Sequence, residues 1–321
     1  DEFYQAANNL ENFSYIDSNN LIFKSKKLSK HKINSKILFD GNNAVFADEK
    51  GNIYVYSTDL QNIIYKYNFY KKKFKKNKKK LNIKIENNIV YVSDNLGYLY
   101  AISYKNRKLI WAKNFQIPFR SNLKIIKNKL ILADSDNSIY LVNKFNGEKI
   151  KTLPTEDASM NNEFINSFAS YGETFFYLNT FGSIYSINSS NGQINWFFNI
   201  NPFSEIDTNN LFNSKPIILN NNKVIISTDR ELNLFNADNG SRILKFPISS
   251  TIKPIILNQN LFLITKNDLL VSINIEKGDI VYSVDINEEI AKFLNTKKKM
   301  IYVKSFSILN NNLYIFLDNS F

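Results

Sequence analysis

Few side chains in this sequence can do chemistry. The 321 residues include no cysteine and one histidine, His31. That excludes disulfides, thiolate metal sites and thiol nucleophiles, and a single imidazole cannot build a multi-histidine metal centre. His31 sits in a polar stretch, where a structural or solvated ring is expected. The serines have no credible histidine partner for a Ser-His-acid triad, and no Gly-rich phosphate loop is present. The carboxylate pairs Glu156-Asp157 and Glu288-Glu289 read as solvated loop residues. The residue types therefore predict a non-catalytic protein, with no metal and no resident cofactor.

One dense charged feature stands out, Lys71–Lys80, which reads KKKFKKNKKK. The formal net charge is +12. This run supplies eight of those charges and leaves +4 for the rest, so the basicity belongs to one segment. It reads as a solvated loop, as a segment drawn to an anionic membrane surface or acidic partner, or as a nucleic-acid contact. The last is the weakest reading. Phe74 is the run's one aromatic and no recognition fold surrounds it, so no nucleic-acid partner is expected.

A scaffold must position such segments, and it is legible as a repeat. Gly51, Gly97, Asn137, Gly182, Arg230 and Asp268 occupy a first turn slot. Ten residues after each comes a second slot, held by Gln61, Arg107, Gly147, Gly192, Gly240 and Gly278. Four residues further is a third slot, with Tyr65, Trp111, Lys151, Trp196, Leu244 and Tyr282. A seventh copy starts at Leu313 and reaches its first slot at Ser320. Between Val90 and Phe115 the unit reads as three alternating strands and two turns. A fourth strand precedes it, as at Leu123–Ile126, Pro216–Leu219 and Pro254–Leu257.

Four antiparallel strands per roughly 40–45 residues form the unit of a β-propeller blade. One small sheet cannot bury both faces, whereas stacked blades bury them against each other. Trp111 and Trp196 are expected between blades, and Gly97 and Gly182 at positive φ. At 44% apolar and 14% aromatic the chain can build that core, and no apolar run approaches the ~20 residues of a membrane-spanning helix. The expected architecture is an all-β propeller with six full repeats and part of a seventh. Residues 1–40 fit the repeat poorly and read as an N-terminal arm able to supply a closing strand, with Leu21–Phe23 a plausible short strand. Residues 41–321 read as one C-terminally incomplete propeller. The alternative architecture is a β-sandwich or solenoid.

The phrases LGYLYAISYKNRKLIWAKNF, from Leu96, and FGSIYSINSSNGQINWFFNI, from Phe181, carry a resemblance. They look like the quinoprotein-type propeller repeat, whose pattern is a Gly turn, alternation, an Asn/Asp-x-x-x-Gly turn and then Trp. Over about residues 40–321 the chain resembles the BamB family, the propeller lipoproteins of the bacterial outer-membrane protein assembly machine, in its Lys/Asn-rich alphaproteobacterial form. The resemblance implies eight blades and a non-catalytic periplasmic scaffold at the inner face of the outer membrane. It also implies a lipid anchor upstream of Asp1, and a protein that is monomeric outside its complex. The implied partners are the barrel protein BamA and unfolded barrel precursors. A relative of the quinoprotein dehydrogenases, binding pyrroloquinoline quinone with calcium or a small ligand, is the alternative. The adjacent cysteines of many such enzymes are absent here. A generic interaction propeller is the third reading.

Successive first slots are 46, 40, 45, 48, 38 and 52 residues apart. The excess lies in Tyr70–Lys80, Pro154–Ser167, Asn201–Lys215 and Asn287–Met300, each joining one blade to the next. Such connections emerge on one face, which predicts a binding rim there. In the resembled family two neighbouring loops of this kind contact BamA, one through Leu-x-Leu-Arg and the other through Asp-x-Asp. Register maps them to 154–167 and 201–215, where neither motif occurs. The location alone carries over. Met160, Asn162, Phe164, Phe203, Phe212 and Asn213 are the candidate contacts, and the alternative for the apolar ones is folding back on the rim.

Overall fold

A computed structural model describes residues 25–33, 35–74, 76–157, 165–201, 212–220, 222–309 and 311–318. Six four-stranded sheets and one two-stranded sheet follow one another along the chain, each with its strands in sequence order and antiparallel. These seven blades span residues 38–68, 81–114, 124–153, 167–199, 218–246, 255–285 and 303–317. First strands of neighbouring blades touch, in blades 1 and 2, 3 and 4, and 4 and 5, so the first strand of each blade is the innermost. The architecture is an all-β propeller.

Alternation along the strands explains how the blades stack. In blade 2, Val90, Val92, Tyr100 and Ile102 pack toward blade 1. The intervening Tyr91, Leu99 and Ala101 pack toward blade 3. A middle strand such as Tyr98–Ser103 is therefore buried on both sides and reads as a nearly continuous apolar run. The same two-sided burial links blades 3 to 4, 4 to 5, 5 to 6 and 6 to 7. The free side of blade 1 is different: Ala44, Phe46, Tyr54 and Tyr56 pack with Leu28, from the segment ahead of the blade.

Blade 1 takes its innermost strand, Leu38–Asp40, from within the segment read as an arm, and Ile33 bridges Asp48 ahead of it. At three residues that strand is too short to show a period. The strand expected at Leu21–Phe23 lies outside the described residues.

The fixed offset of four between second and third slots has a structural cause. Every complete blade breaks register between its third and fourth strands at one position, after Val55, Ala101, Leu141, Ser186, Leu234 and Ser272. Those residues pair directly with the third-slot residues, as Ala101 does with Trp111 and Ser186 with Trp196. The bulge adds one residue to the fourth strand between the second and third slots and so holds that count of four. All six second-slot residues have positive φ, including Gln61 at 51° and Arg107 at 54°. Five of the six first-slot residues do as well, Gly97 and Gly182 both at 82°; Arg230 is the exception.

Third and second slots meet between blades. The Trp111 ring lies on Gly147 of blade 3, where a Cβ would stand 2.4 Å from its Cε3, and Trp196 lies on Gly240 of blade 5 in the same way. Each indole N–H donates to the carbonyl three residues before that glycine, Lys144 at 3.0 Å and Ala237 at 2.8 Å. Lys151 and Leu244 cover Gly192 and Gly278. Trp111 is buried, whereas Trp196 is only partly so, contrary to the expectation that both are enclosed. Tyr282 is 40% exposed; among the described residues blade 7 has two strands and no second-slot turn set against it.

Candidate partner-binding face

The first-slot turns and the blade-to-blade connections share one end of the ring, since both join the ends of second and fourth strands to the starts of third and first strands. A polar residue three positions before the first slot ties each early turn. Asp48 Oδ1 accepts from the backbone N–H of Lys50 and Asn52, Asp94 Oδ1 from Leu96 and Tyr98, and Asp134 Oδ1 from Asp136 and Ser138, all at 2.8–3.0 Å. Asn179 repeats this in blade 4 toward Phe181 and Ser183. All four side chains are fully buried. Asp94 alone is marked in the sequence, as the start of the turn signal Asp94-Asn95-Leu96-Gly97; Asp48, Asp134 and Asn179 are not, although Asp stands at the same offset in three successive copies.

The second carboxylate oxygen receives a tyrosine: Tyr54 reaches Asp48, Tyr140 reaches Asp134, and Tyr70, from the connection between blades 1 and 2, reaches Asp94. Burial raises the Asp94 pKa and outweighs its hydrogen bonds from Tyr70, Tyr98 and Leu96, whereas at Asp48 the bonds from Asn52, Tyr54 and Lys50 overcome burial and lower it. A raised folded value means stability falls as pH rises from the unfolded aspartate range through it. Asp94→Asn, which copies the Asn179 of blade 4, keeps the Oδ1 acceptor and should remove that slope at small cost. Asp94→Ala strands two backbone donors and should cost about 1–3 kcal/mol. Urea unfolding at several pH values checks both; equal losses would contradict the turn's role.

The first-slot glycines seat the connection leaving their own blade. A Cβ at Gly51 would strike the Tyr70 ring and one at Gly97 the carbonyl of Ile117. At Gly182 it would stand 2.8 Å from the Phe212 ring and 3.2 Å from Asn201 Cβ. Gly182→Val should therefore destabilise by about 1–3 kcal/mol through backbone strain, read as a lowered melting temperature; an unchanged one would contradict the seating.

The connection between blades 3 and 4 is anchored at both ends. Near its start, Thr155 Oγ1 donates to the Asn137 carbonyl at 2.7 Å, and Asn137 Nδ2 to the Glu156 carbonyl at 3.1 Å. The Glu156 carboxylate crosses to blade 4 and accepts from Asn179 Nδ2 at 2.6 Å, Ser183 Oγ at 3.0 Å and Tyr185 OH at 3.2 Å. At its far end, buried Asn166 donates to Asn137 Oδ1 at 2.9 Å and to Tyr177 OH at 2.7 Å. Thr180 Oγ1 lies within 3.0 Å of the side-chain oxygens of both asparagines. Glu156 is thus no solvated carboxylate, unlike exposed Asp157. The turn Asn179–Ser183 holds the base of this connection by Glu156 and that of the next by Phe212.

Of the candidate contacts, Met160, Asn162, Phe164 and Phe203 lie outside the described residues. Phe212 is half-buried on Gly182 and packs with the core between blades 4 and 5, so it folds back on the rim. Asn213 is exposed, and its carbonyl accepts from Asp229 N.

The lysine run is not uniformly solvated. Lys79 is 1% exposed; its Nζ donates to the Phe74 carbonyl at 2.5 Å and lies over the Tyr70 ring. Lys71, Lys72, Lys76, Lys78 and Lys80 are exposed, and Lys72–Phe74 forms a 3-10 turn. The connection after blade 6, expected to be a loop, contains a helix, Ile286–Leu294. Asp285 caps it by accepting from Glu288 N at 3.0 Å, and Glu288 and Glu289 both pair with Lys292. Buried Asn287 ties the helix to Asp268 Oδ2. Phe293, 89% exposed, Leu294, Met300 and Tyr302 give this connection an apolar surface that loop length alone does not foretell.

Exposed His31 donates its backbone N–H to Ser29 Oγ. Among the described residues no group of three or more His, Asp or Glu side chains could hold a metal ion, and no helix is long and apolar enough to cross a membrane.

Stacked four-stranded blades, a bulge at constant register and a glycine-tryptophan clasp between blades define a propeller of PQQ-like repeats. A family model described as outer membrane protein assembly factor BamB matches residues 75–283, and the chain belongs to that family. The crystal structure of BamB from Moraxella catarrhalis is similar with a TM-score of 0.70 at 13% identity, over 88% of this chain and 81% of that one. The computationally designed Ika8 protein is similar with a TM-score of 0.55 at 10% identity, over 96% of each chain. At such identities the two likenesses show the fold. No curated protein matches the sequence.

Proposed function

We propose that this protein is a non-catalytic scaffold subunit of the outer-membrane β-barrel assembly machinery. It works in the periplasm at the inner face of the outer membrane, held there by a lipid anchor, and docks to a BamA-like protein through connections 154–167 and 201–215. Unfolded barrel precursors are its clients. Family membership supports the assembly role. The observation that carries the docking site is the shared base of these two connections on the turn Asn179–Ser183. Two connections whose bases rest on one turn of a rigid blade would offer a partner neighbouring contacts at a lowered ordering cost.

The test is binding of the purified chain to the periplasmic part of the cognate BamA-like protein. Saturable one-to-one binding is expected, and none at micromolar concentrations would overturn the reading. The lysine run serves encounter. Changing Lys71, Lys72 and Lys73 to Gln should slow association and flatten its salt dependence, with dissociation nearly unchanged. Surface plasmon resonance across a salt series checks this, and an effect confined to dissociation would contradict it.

A further inference from the structure

The helix after blade 6 carries its apolar stripe past the end of the core. Ile286, Ile290 and Leu294 stand four residues apart along one side. Ile286 is buried between blades 6 and 7 and Ile290 packs beside it, but Leu294 is 57% exposed. Its neighbour Phe293 is almost wholly exposed. The C-terminal tip of the helix therefore overhangs the blades and presents large apolar side chains to solvent.

The overhang is held in place. Asn295 turns left-handed at φ 51°, and the backbone N–H groups of Asn295 and Thr296 close the helix on the carbonyls of Lys292 and Ala291 at 3.2 and 3.0 Å. The chain then returns along the helix. Lys298 Nζ meets Asp285 Oδ2 at 2.5 Å, and Ile301 N donates to Asn287 Oδ1 at 3.1 Å. Asn287 Nδ2 in turn donates to Asp268 Oδ2 of blade 6 at 3.1 Å. On this return, Met300 and Tyr302 are again more than half exposed. Unlike Phe212, these four side chains do not turn inward.

Lysines stand among them. Residues 292–304 contain Lys292, Lys297, Lys298, Lys299 and Lys304 and no carboxylate. Lys292 pairs with Glu288 and Glu289, and Lys298 with Asp285. Lys297, Lys299 and Lys304 are exposed and form no ion pair among the described residues. The connections at this end of the ring also divide by charge. Tyr70–Lys80 has eight lysines and no carboxylate, whereas 154–167 has Glu156, Asp157 and Glu163 and no lysine.

We propose that the helix tip and its return, residues 293–302, dip into an anionic phospholipid surface. An acidic protein surface poor in apolar groups answers the lysines alone. A lipid interface takes both features: the apolar side chains pass below the headgroups, and the lysine ammonium groups reach back to the phosphates. The exposed lysines of the run 71–80, at the same end of the ring, add attraction, and the acidic connection is repelled from the same surface. Nothing in this contact requires a BamA-like partner.

Co-sedimentation of the full chain with vesicles tests it. Vesicles of phosphatidylglycerol and phosphatidylcholine in equal parts should bind the chain, and phosphatidylcholine alone roughly tenfold more weakly or worse. Phe293→Ser/Leu294→Ser should lower the affinity for the mixed vesicles by about tenfold or more. Its melting temperature should match the wild type, since both side chains are exposed. Phe293→Trp should show blue-shifted, iodide-protected emission on the mixed vesicles. A bound chain without that shift would assign the contact to the run 71–80 and overturn the proposal. Wild-type affinity in the serine variant, equal binding to both kinds of vesicle, or no binding would overturn it too. Light scattering without vesicles should show a monomer. A dimer that the serine variant dissolves would give the tip to a second copy of the chain instead.

Discussion

Trp111→Ala should cost about 3–5 kcal/mol, the range for deleting a buried large aromatic. The ring is 8% exposed, faces Tyr91 in its own blade and lies on Gly147 of the next. Its removal opens a void at a joint between blades and leaves the Lys144 carbonyl without its indole donor. Tyr282→Ala supplies the internal control. It removes from blade 6 the residue of the same slot, which is 40% exposed among the described residues, and should cost well under half as much. Urea unfolding of the two variants and the wild type measures both. Equal losses would mean that the clasp between third and second slots does not hold the blades together.

The repeat is legible because one backbone device recurs. Gln61 and Arg107 show how strong it is: both adopt left-handed backbone without being glycine, and the bulge still falls one residue before the third slot. Arg230 shows its limit. In blade 5 the turn is tied by Thr228, whose Oγ1 accepts from Arg230 and Glu231, and no left-handed residue is needed. Leu38–Asp40 escapes notice because a three-residue strand has no measurable period, and only its pairing with Asn43–Val45 reveals it.

The helix after blade 6 does carry a signal. Asp285 followed three residues later by Glu288 is an N-terminal capping pattern, which a reading by loop length alone ignores. Glu156 has no assignable role in the sequence, since its partners Asn179, Ser183 and Tyr185 lie more than twenty residues away and meet it only through blade stacking. Phe212 reads as an outward contact because it sits in a long connection. The missing Cβ of Gly182 is what lets it turn inward.

The central claim is that connections 154–167 and 201–215 form one partner surface on the rim of blade 4. The measurement that tests it most directly is the affinity of Phe164→Asp/Phe203→Asp for the cognate BamA-like protein, beside that of Lys266→Gln, a substitution on the same end of the ring at blade 6. Interface energy concentrates in a few apolar anchors, each worth about 2 kcal/mol or more, so burying two carboxylates there should weaken binding by roughly a hundredfold or beyond. The circular dichroism and melting temperature of the double variant should match the wild type, and Lys266→Gln should bind as the wild type does. A folded double variant that retains wild-type affinity would contradict the account and move the partner surface elsewhere on the disc.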